Sequence, residues 1–381
     1  MMSYLLIVAL MGLQPVSSKS DLAEAANGPG LNSGERYFTF LSADRQVERF
    51  FVQLPEGPLP SARISPKYDF EYKYITPALA RTPDSPENYT LRFRVYSQSY
   101  KDRGDIAPMV ARQLLRQWEM NVERFKVDHS RNSFNQLVDV FLSEGGKSGG
   151  EQVFMLDKNN LDSQGNPRKI NAIFIFDLKS FTSPLEQARE IAHEYGHATL
   201  PAVGGYSRPE SWANGEVGER LYLKWFYEES LAGRLKGQDM MYASKPELAQ
   251  YISQNINPMV SKFATNGPLK MPLKNRDEPG FKAYVGMVIY GESVLPLDRF
   301  RRWMVLGQNK AEDWPKLLTE VMDEQKKTVL KIPSYLRGKP IWLPVGKGTI
   351  AGIKAISKSP GWVQIKTNSA TVTLNNPKAS Q

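Results

Sequence analysis

The sequence of 381 residues contains no cysteine and only three histidines. The absence of cysteine excludes disulfides, thiolate metal sites, cysteine nucleophiles and thiol redox chemistry. In an exported chain of this length it favours a bacterial protein, whose core is large enough to fold without disulfides. Beyond the first residues, no apolar run approaches the roughly 18 residues that a membrane helix needs, so no transmembrane anchor is predicted.

Acidic residues are absent from residue 326 to the C-terminus, a stretch that holds nine lysines and one arginine. The whole chain carries 49 basic and 40 acidic side chains, so its net charge of +9 belongs to this tail. Short strands and turns predict a small basic β-rich domain over residues 329–381. Its lysines either keep the domain soluble, which is the simpler interpretation, or bind an anionic cell-surface polymer as a candidate partner. The lysines are spread rather than clustered, so nucleic-acid binding is not expected.

The first 18 residues resemble a secretory signal peptide. An apolar run from Leu5 to Leu13 is followed by small residues at Val16 and Ser18, and cleavage is predicted after Ser18. No lysine or arginine precedes the apolar run, which departs from the usual pattern. We therefore predict a secreted or periplasmic protein whose mature chain begins with a linker over residues 19–34.

The spacing of apolar residues predicts an α+β fold with an N-terminal β-rich segment over residues 35–100. Residues 101–328 are predicted to form one domain that combines a small sheet with many helices. Its first part is a helix over 105–125, strands over 135–142 and 171–178, and a long polar loop over 145–166 between them. Further helices are predicted over 184–200, 215–231, 246–255, 281–290, 297–306 and 311–327.

Two of the three histidines, His193 and His197, stand four residues apart with Glu194 between them, in the stretch AREIAHEYGHATLP. On a helix both imidazoles leave one face and can bind a single tetrahedral zinc at about 2.0–2.1 Å. Glu194 then lies beside the metal without ligating it, where it can act as a general base. This HExxH pattern predicts two metal ligands and one catalytic carboxylate.

A catalytic zinc needs a third protein ligand, and the next predicted helix offers Glu216 and Glu219. Glu216 belongs to an i,i+4 series with Arg220, Lys224 and Glu228, and such alternating charges are typical of a solvated face. Glu219 lies on the other side of the helix among apolar residues, where a carboxylate needs a partner such as zinc. We predict Glu219 as the third ligand and keep Glu216 as the alternative.

The motif at residues 193–197, on a capped helix after a strand and with a glutamate on the next helix, resembles the gluzincin zinc metallopeptidases. These include thermolysin-like enzymes and zinc aminopeptidases. The resemblance covers residues 96–327 and implies a zincin-like domain that hydrolyses peptide or protein substrates. It also implies that the substrate lies in a cleft against the strand predicted at residues 171–178.

Several features depart from the better-known members of that family. The order Asn214, Gly215, Glu216 replaces the Asn-Glu-Gly or Asn-Glu-Ala of many gluzincins, and the Gly-x-Met-Glu-Asn segment of aminopeptidases is missing. The resemblance implies that Tyr284 is a candidate to stabilise the oxyanion, with packing of its ring as the alternative. His129 is a second candidate, although its position predicts a surface loop residue.

Two other functions stay open. The first is a secreted binding or adhesion protein that keeps zinc for structure alone. Glu194 argues against it, because a structural site has no use for a general base and tends to be closed by four protein ligands. The second is a zinc hydrolase of an ester or a non-peptide amide, since a zinc–water–glutamate unit is indifferent to which carbonyl it attacks.

Overall fold

The computed structural model describes residues 37–41, 48–82, 85–101, 106–126, 137–235 and 243–376. The predicted signal peptide and linker lie outside these residues, as does His129. The described residues fall into two compact units. The first comprises those within Met1–Glu123, Val127–Ala198 and Trp225–Lys245, and the second those within Arg124–Lys126, Thr199–Lys224 and Pro246–Gln381.

The first unit is built on a mixed sheet. Among the described residues this sheet has seven strands, in the order β1-β2-β5-β6-β7-β9-β8, and β3 and β4 form a separate hairpin. The pairs β6–β7 and β7–β9 are parallel, whereas β8 pairs antiparallel with β9 at the edge. The strands are β1 (Tyr37–Leu41), β2 (Glu48–Gln53), β3 (Arg63–Ile64), β4 (Glu71–Tyr72), β5 (Tyr74–Thr82), β6 (Ser85–Ser97), β7 (Val138–Leu142), β8 (Gly149–Leu161) and β9 (Pro167–Phe176).

Two helices pack on one face of this sheet. They are α1 (Ile106–Met120), which continues as a π-helical turn over Asn121–Phe125, and α2 (Pro184–Thr199). Alternation along β6 sends Phe93 to this face, where its ring lies 5.6 Å from that of Tyr195 in α2. Tyr96 points to the opposite face and stacks on Phe141 beneath the β3–β4 hairpin.

Strands β1 to β6 lie in the segment predicted to be β-rich, and the strands predicted over 135–142 and 171–178 are confirmed. The predicted polar loop over residues 145–166 is wrong. Most of it is strand β8, which is paired with β9 along its length. Its polar composition hid it, because an edge strand is held by backbone hydrogen bonds on one side and leaves many side chains in water. The strand predicted at 171–178 is β9, which begins earlier, at Pro167.

The helix after the motif is also confirmed, as α3 (Asn214–Leu231). Its residues 214–224 belong to the second unit and the remainder to the first. After α3, the described residues form helices and then six short strands, all of them in the second unit except Lys245. They are α4 (Lys245–Tyr251), α5 (Asn257–Asn266), α6 (Glu278–Val294), α7 (Leu297–Leu306), α8 (Trp314–Asp323), β10 (Lys327–Lys331), β11 (Pro340–Pro344), β12 (Thr349–Ile350), β13 (Ser357–Ser359), β14 (Trp362–Lys366) and β15 (Thr371–Asn375).

These strands form two three-stranded sheets, in the orders β10-β15-β12 and β11-β14-β13. The helix predicted over 297–306 matches α7, whereas the one predicted over 311–327 is shorter. A 3₁₀ turn occupies Ala311–Asp313, α8 ends at Asp323, and β10 begins at Lys327. Helix α5 was not predicted. The described part of the chain is α+β, as expected. The predicted domain boundaries stay predictions.

Candidate metal centre

The helix that carries the motif begins with a well-formed cap. The Ser183 hydroxyl accepts a hydrogen bond of 3.2 Å from the Glu186 backbone N–H. The Glu186 carboxylate reaches back to Thr182 and accepts hydrogen bonds from its backbone N–H at 2.8 Å and from its hydroxyl at 2.7 Å. These hydrogen bonds from Thr182 hold the pKa of Glu186 below its usual value.

One turn separates the two histidines of α2, and their imidazoles meet on one side of the helix. The Nε2 atoms of His193 and His197 lie 3.2 Å apart, and both rings are half-buried. Two nitrogens bound to one tetrahedral zinc at the usual bond length are separated by about 3.3–3.4 Å. The pair therefore fits two neighbouring corners of a zinc coordination sphere.

Glu194 is 4 % exposed and lies where α2 passes the edge strand β8. A Cβ atom built at Gly150 of β8 would stand 2.6 Å from Glu194 Cγ and 2.8 Å from Glu194 Oε1. It would also stand 2.8 Å from Glu190 Oε1. Only glycine lets the strand lie this close to the carboxylate. The sequence analysis missed Gly150 because it read this segment as a loop.

The strand predicted at residues 171–178 was expected to line the substrate cleft, and this expectation needs correction. Strand β9 is paired on both sides, by β7 and by β8, so it has no free edge for a peptide. Among the described strands, β8 pairs with β9 alone, so none of them occupies its other edge, where an added strand would pair. The sheet edge beside Glu194 is therefore β8.

The carboxylates considered as further ligands all lie in the second unit. Glu216 and Glu219 are on α3, and Glu210 precedes this helix. Glu210 was not considered from the sequence, because it lies in the connection before α3, where spacing carries no signal.

The two carboxylates of α3 have different surroundings. Glu216 forms an ion pair with Arg220, four residues on, as the sequence predicts. Glu219 is 3 % exposed and accepts a hydrogen bond from the Tyr251 hydroxyl at the end of α4. The role of Tyr251 was missed, because no local pattern links residues this far apart in the chain.

Hydrogen bonds also join α3 to the end of α2 and close the connection between them. The hydroxyls of Thr199 and Tyr222 share a buried hydrogen bond of 2.8 Å. In the connection between the helices, the Ala213 N–H donates to the Val203 carbonyl at 2.9 Å. Tyr222 stands three residues after Glu219, so both leave the same face of α3. The last residue of α2 is thus held by the face of α3 that carries Glu219.

Tyr284, expected as an oxyanion donor, lies in α6 and is 1 % exposed. Its ring packs edge-to-face on Trp314, with the ring centres 5.2 Å apart. This burial favours the packing alternative, and its catalytic role stays a prediction.

No known family model, no curated protein and no solved structure matches this chain. The resemblance to gluzincins therefore rests on the residues of the motif and on their geometry. None of the helices in the described part of the chain is long and apolar enough to cross a membrane.

Proposed function

We propose that this protein is a zinc-dependent metallopeptidase. His193, His197 and Glu219 hold the metal, and Glu194 is the general base. The observation that carries the proposal is the pair of histidine nitrogens 3.2 Å apart with a buried carboxylate on the residue after the first histidine. This arrangement supplies two metal ligands and a base from a single helix.

Zinc bound at such a site lowers the pKa of a coordinated water to about 7 and polarises a carbonyl. The protein's own part is proton transfer and positioning. The Glu194 carboxylate takes a proton from the attacking water and returns it to the leaving nitrogen. Its burial against β8 keeps it in one orientation.

Glu219 is the better third ligand for two reasons. The Glu216 carboxylate pairs with Arg220, whereas the Glu219 carboxylate is 3 % exposed and is oriented by the Tyr251 hydroxyl, as ligating carboxylates usually are by a hydrogen-bond partner. In addition, the Thr199–Tyr222 hydrogen bond holds the end of α2 to the face of α3 that carries Glu219.

An enzyme fits these residues better than a structural zinc site. A structural site is usually closed by four protein ligands, and it gains nothing from an acidic residue placed as a base. The edge of β8 beside Glu194, which no described strand occupies, also favours a peptide over an ester as substrate. An extended peptide can add to this edge through main-chain hydrogen bonds, which a small ester cannot make.

The proposal is tested first by Glu194→Gln. We expect this variant to keep its zinc and to lose about 10²- to 10⁴-fold of its hydrolysis of fluorescein-labelled denatured casein. Glu190→Gln is the matched control, since Glu190 lies on the same helix and also faces Gly150. Unchanged hydrolysis by Glu194→Gln would contradict the proposal.

The ligand set is tested by zinc per chain, measured by mass spectrometry after identical dialysis of wild type, Glu219→Ala and Glu216→Ala. We expect about one zinc in wild type and in Glu216→Ala, and a marked loss in Glu219→Ala. Loss in Glu216→Ala alone would move the third ligand there. Absence of zinc from the wild type would favour the binding-protein alternative.

A further inference from the structure

A groove of about 880 Å³ lies wholly within the second unit and includes none of the residues assigned to the metal centre. One wall is α8, a second is the loop over residues 268–275, and a third is formed by the turns at 346–347 and 359–362. Its volume falls in the range of sites that bind ligands of several hundred daltons or short peptide segments.

The lining of the groove is mainly apolar. Met271 and Pro315 contribute to it, and Leu269 at its side is 76 % exposed. Trp362 also lines the groove but is only 2 % exposed, so its ring offers no open face. A ligand that gains from this lining must carry apolar groups small enough to fit between these side chains.

Positive charge surrounds the apolar lining. Lys274, Lys316 and Lys347 stand on three different walls, and all three side chains are exposed. Lys347 belongs to the C-terminal stretch that contains no acidic residue. The field at the groove therefore attracts an anionic ligand.

Both carboxylates of the lining are already engaged by the protein itself. Glu312 accepts from Arg276 at 2.7 Å, and although burial opposes it, this hydrogen bond leaves the pKa of Glu312 below its usual value. Asp323 accepts from the Asn376 side chain at 3.1 Å and from the Lys347 backbone N–H. The acids of the lining are thus used within the fold. Lys316 also forms an exposed ion pair with Glu320 at 3.7 Å, and a ligand carboxylate can compete for this lysine because exposed pairs contribute little to stability.

We propose that this groove binds an extended acidic peptide segment of a partner protein, with apolar side chains on the lining and carboxylates at the lysine rim. A sugar polymer fits less well, because the buried Trp362 gives its rings no surface to stack on. A polyphosphate would meet the lysines but leave the apolar lining in water. A peptide that alternates acidic and apolar residues satisfies both features.

The test is fluorescence anisotropy on the full chain carrying Glu194→Gln, so that the probe stays intact. The probe is a fluorescein-labelled peptide in which glutamate alternates with leucine and proline. We expect it to bind, to bind more weakly in about 0.5 M salt, and to lose about tenfold or more in affinity when Lys274, Lys316 and Lys347 are changed to glutamate.

The matched control reverses three exposed lysines of the same unit outside the groove, Lys331, Lys339 and Lys358. This control has the same net charge as the protein with the three groove lysines reversed, and it should bind the probe like the wild type. A second pair of variants measures the contribution of the apolar lining separately from that of the lysines. Leu269→Ser should weaken binding, whereas Ile356→Ser, also exposed and outside the groove, should not. Neither serine change removes a buried side chain, so folding is preserved.

Three outcomes would overturn the proposal. They are no binding of the probe, equal loss in the two charge-reversed proteins, and equal binding of polygalacturonate or polyphosphate. The last would indicate an anionic polymer as the partner. The proposed metal centre has no part in this assay. Failure of the probe to bind therefore leaves the peptidase proposal intact, and failure of the protein to bind zinc leaves the groove proposal intact.

Discussion

Replacement of Tyr251 by phenylalanine tests the proposed metal centre through a residue that is not one of the proposed ligands. The Tyr251 hydroxyl donates to Glu219 and fixes the direction in which this carboxylate points. Removal of a group that orients a metal ligand typically lowers metal affinity about 10- to 100-fold, or roughly 1.4–2.8 kcal/mol. Because Tyr251 and Glu219 are only 4 % and 3 % exposed, water cannot easily replace the hydroxyl, and we expect the upper half of this range.

The assay is competition for zinc with a chromogenic chelator, with thermal unfolding of the apo and zinc-loaded protein beside it. Tyr290→Phe is the matched control, since its hydroxyl is also buried in the second unit and donates to the Trp342 carbonyl. The control should lower the stability of both forms alike and leave zinc affinity unchanged. Unchanged zinc affinity in Tyr251→Phe would refute the reasoning, as would an equal loss in both variants.

Two further predictions concern the helix of the motif. Gly150→Ala should keep zinc but lose hydrolysis, because its Cβ would stand 2.6 Å from Glu194 Cγ. Gly57→Ala is the control, since nothing lies within 4 Å of a Cβ at that position. Equal hydrolytic activity of the two variants contradicts the prediction. Glu186→Gln should lower the melting temperature at neutral pH. The pKa of Glu186 is below its usual 4.5 in the folded protein, so its contribution is complete above 4.5 and is lost as the pH falls through the folded pKa. The difference from wild type should therefore vanish in acid, and a difference that is constant with pH contradicts this assignment.

Local signals in the sequence were sufficient to predict the helices that carry the proposed metal ligands. The serine and glutamate at the start of α2 act as a cap, and the four-residue spacing of His193 and His197 places both imidazoles together. The i,i+4 charge pattern correctly paired Glu216 with Arg220. Each of these depends on residues within one or two helical turns, where sequence spacing fixes spatial proximity.

Contacts between distant segments could not be predicted in this way. Tyr251 meets Glu219 only because α4 packs beside α3, and Gly150 matters only because β8 passes α2. Helix α5 was missed because its first turn contains Pro258, which reads as a break unless it is recognised as the start of a helix.

The polar residues of β8, which suggested a loop, are the ones that hold this strand in place. Their side chains alternate between the two faces of the sheet, and those on the face away from α2 meet the β3–β4 hairpin. Asp157 is fully buried in an ion pair with Arg63, and Glu151 accepts from the Tyr68 hydroxyl. Asn159 donates to the Ser65 carbonyl at 3.0 Å.

Strand β8 is thus fixed from one face by charged and polar partners and approaches Glu194 on the other through Gly150. A loop of the same composition would leave its backbone groups to water and would set no fixed distance to α2. The hairpin therefore determines how close this sheet edge lies to the proposed general base. For the same reason, Arg63→Met should lower the rate of the proposed peptide hydrolysis and leave zinc affinity unchanged, because Arg63 holds β8 and is not one of the proposed ligands.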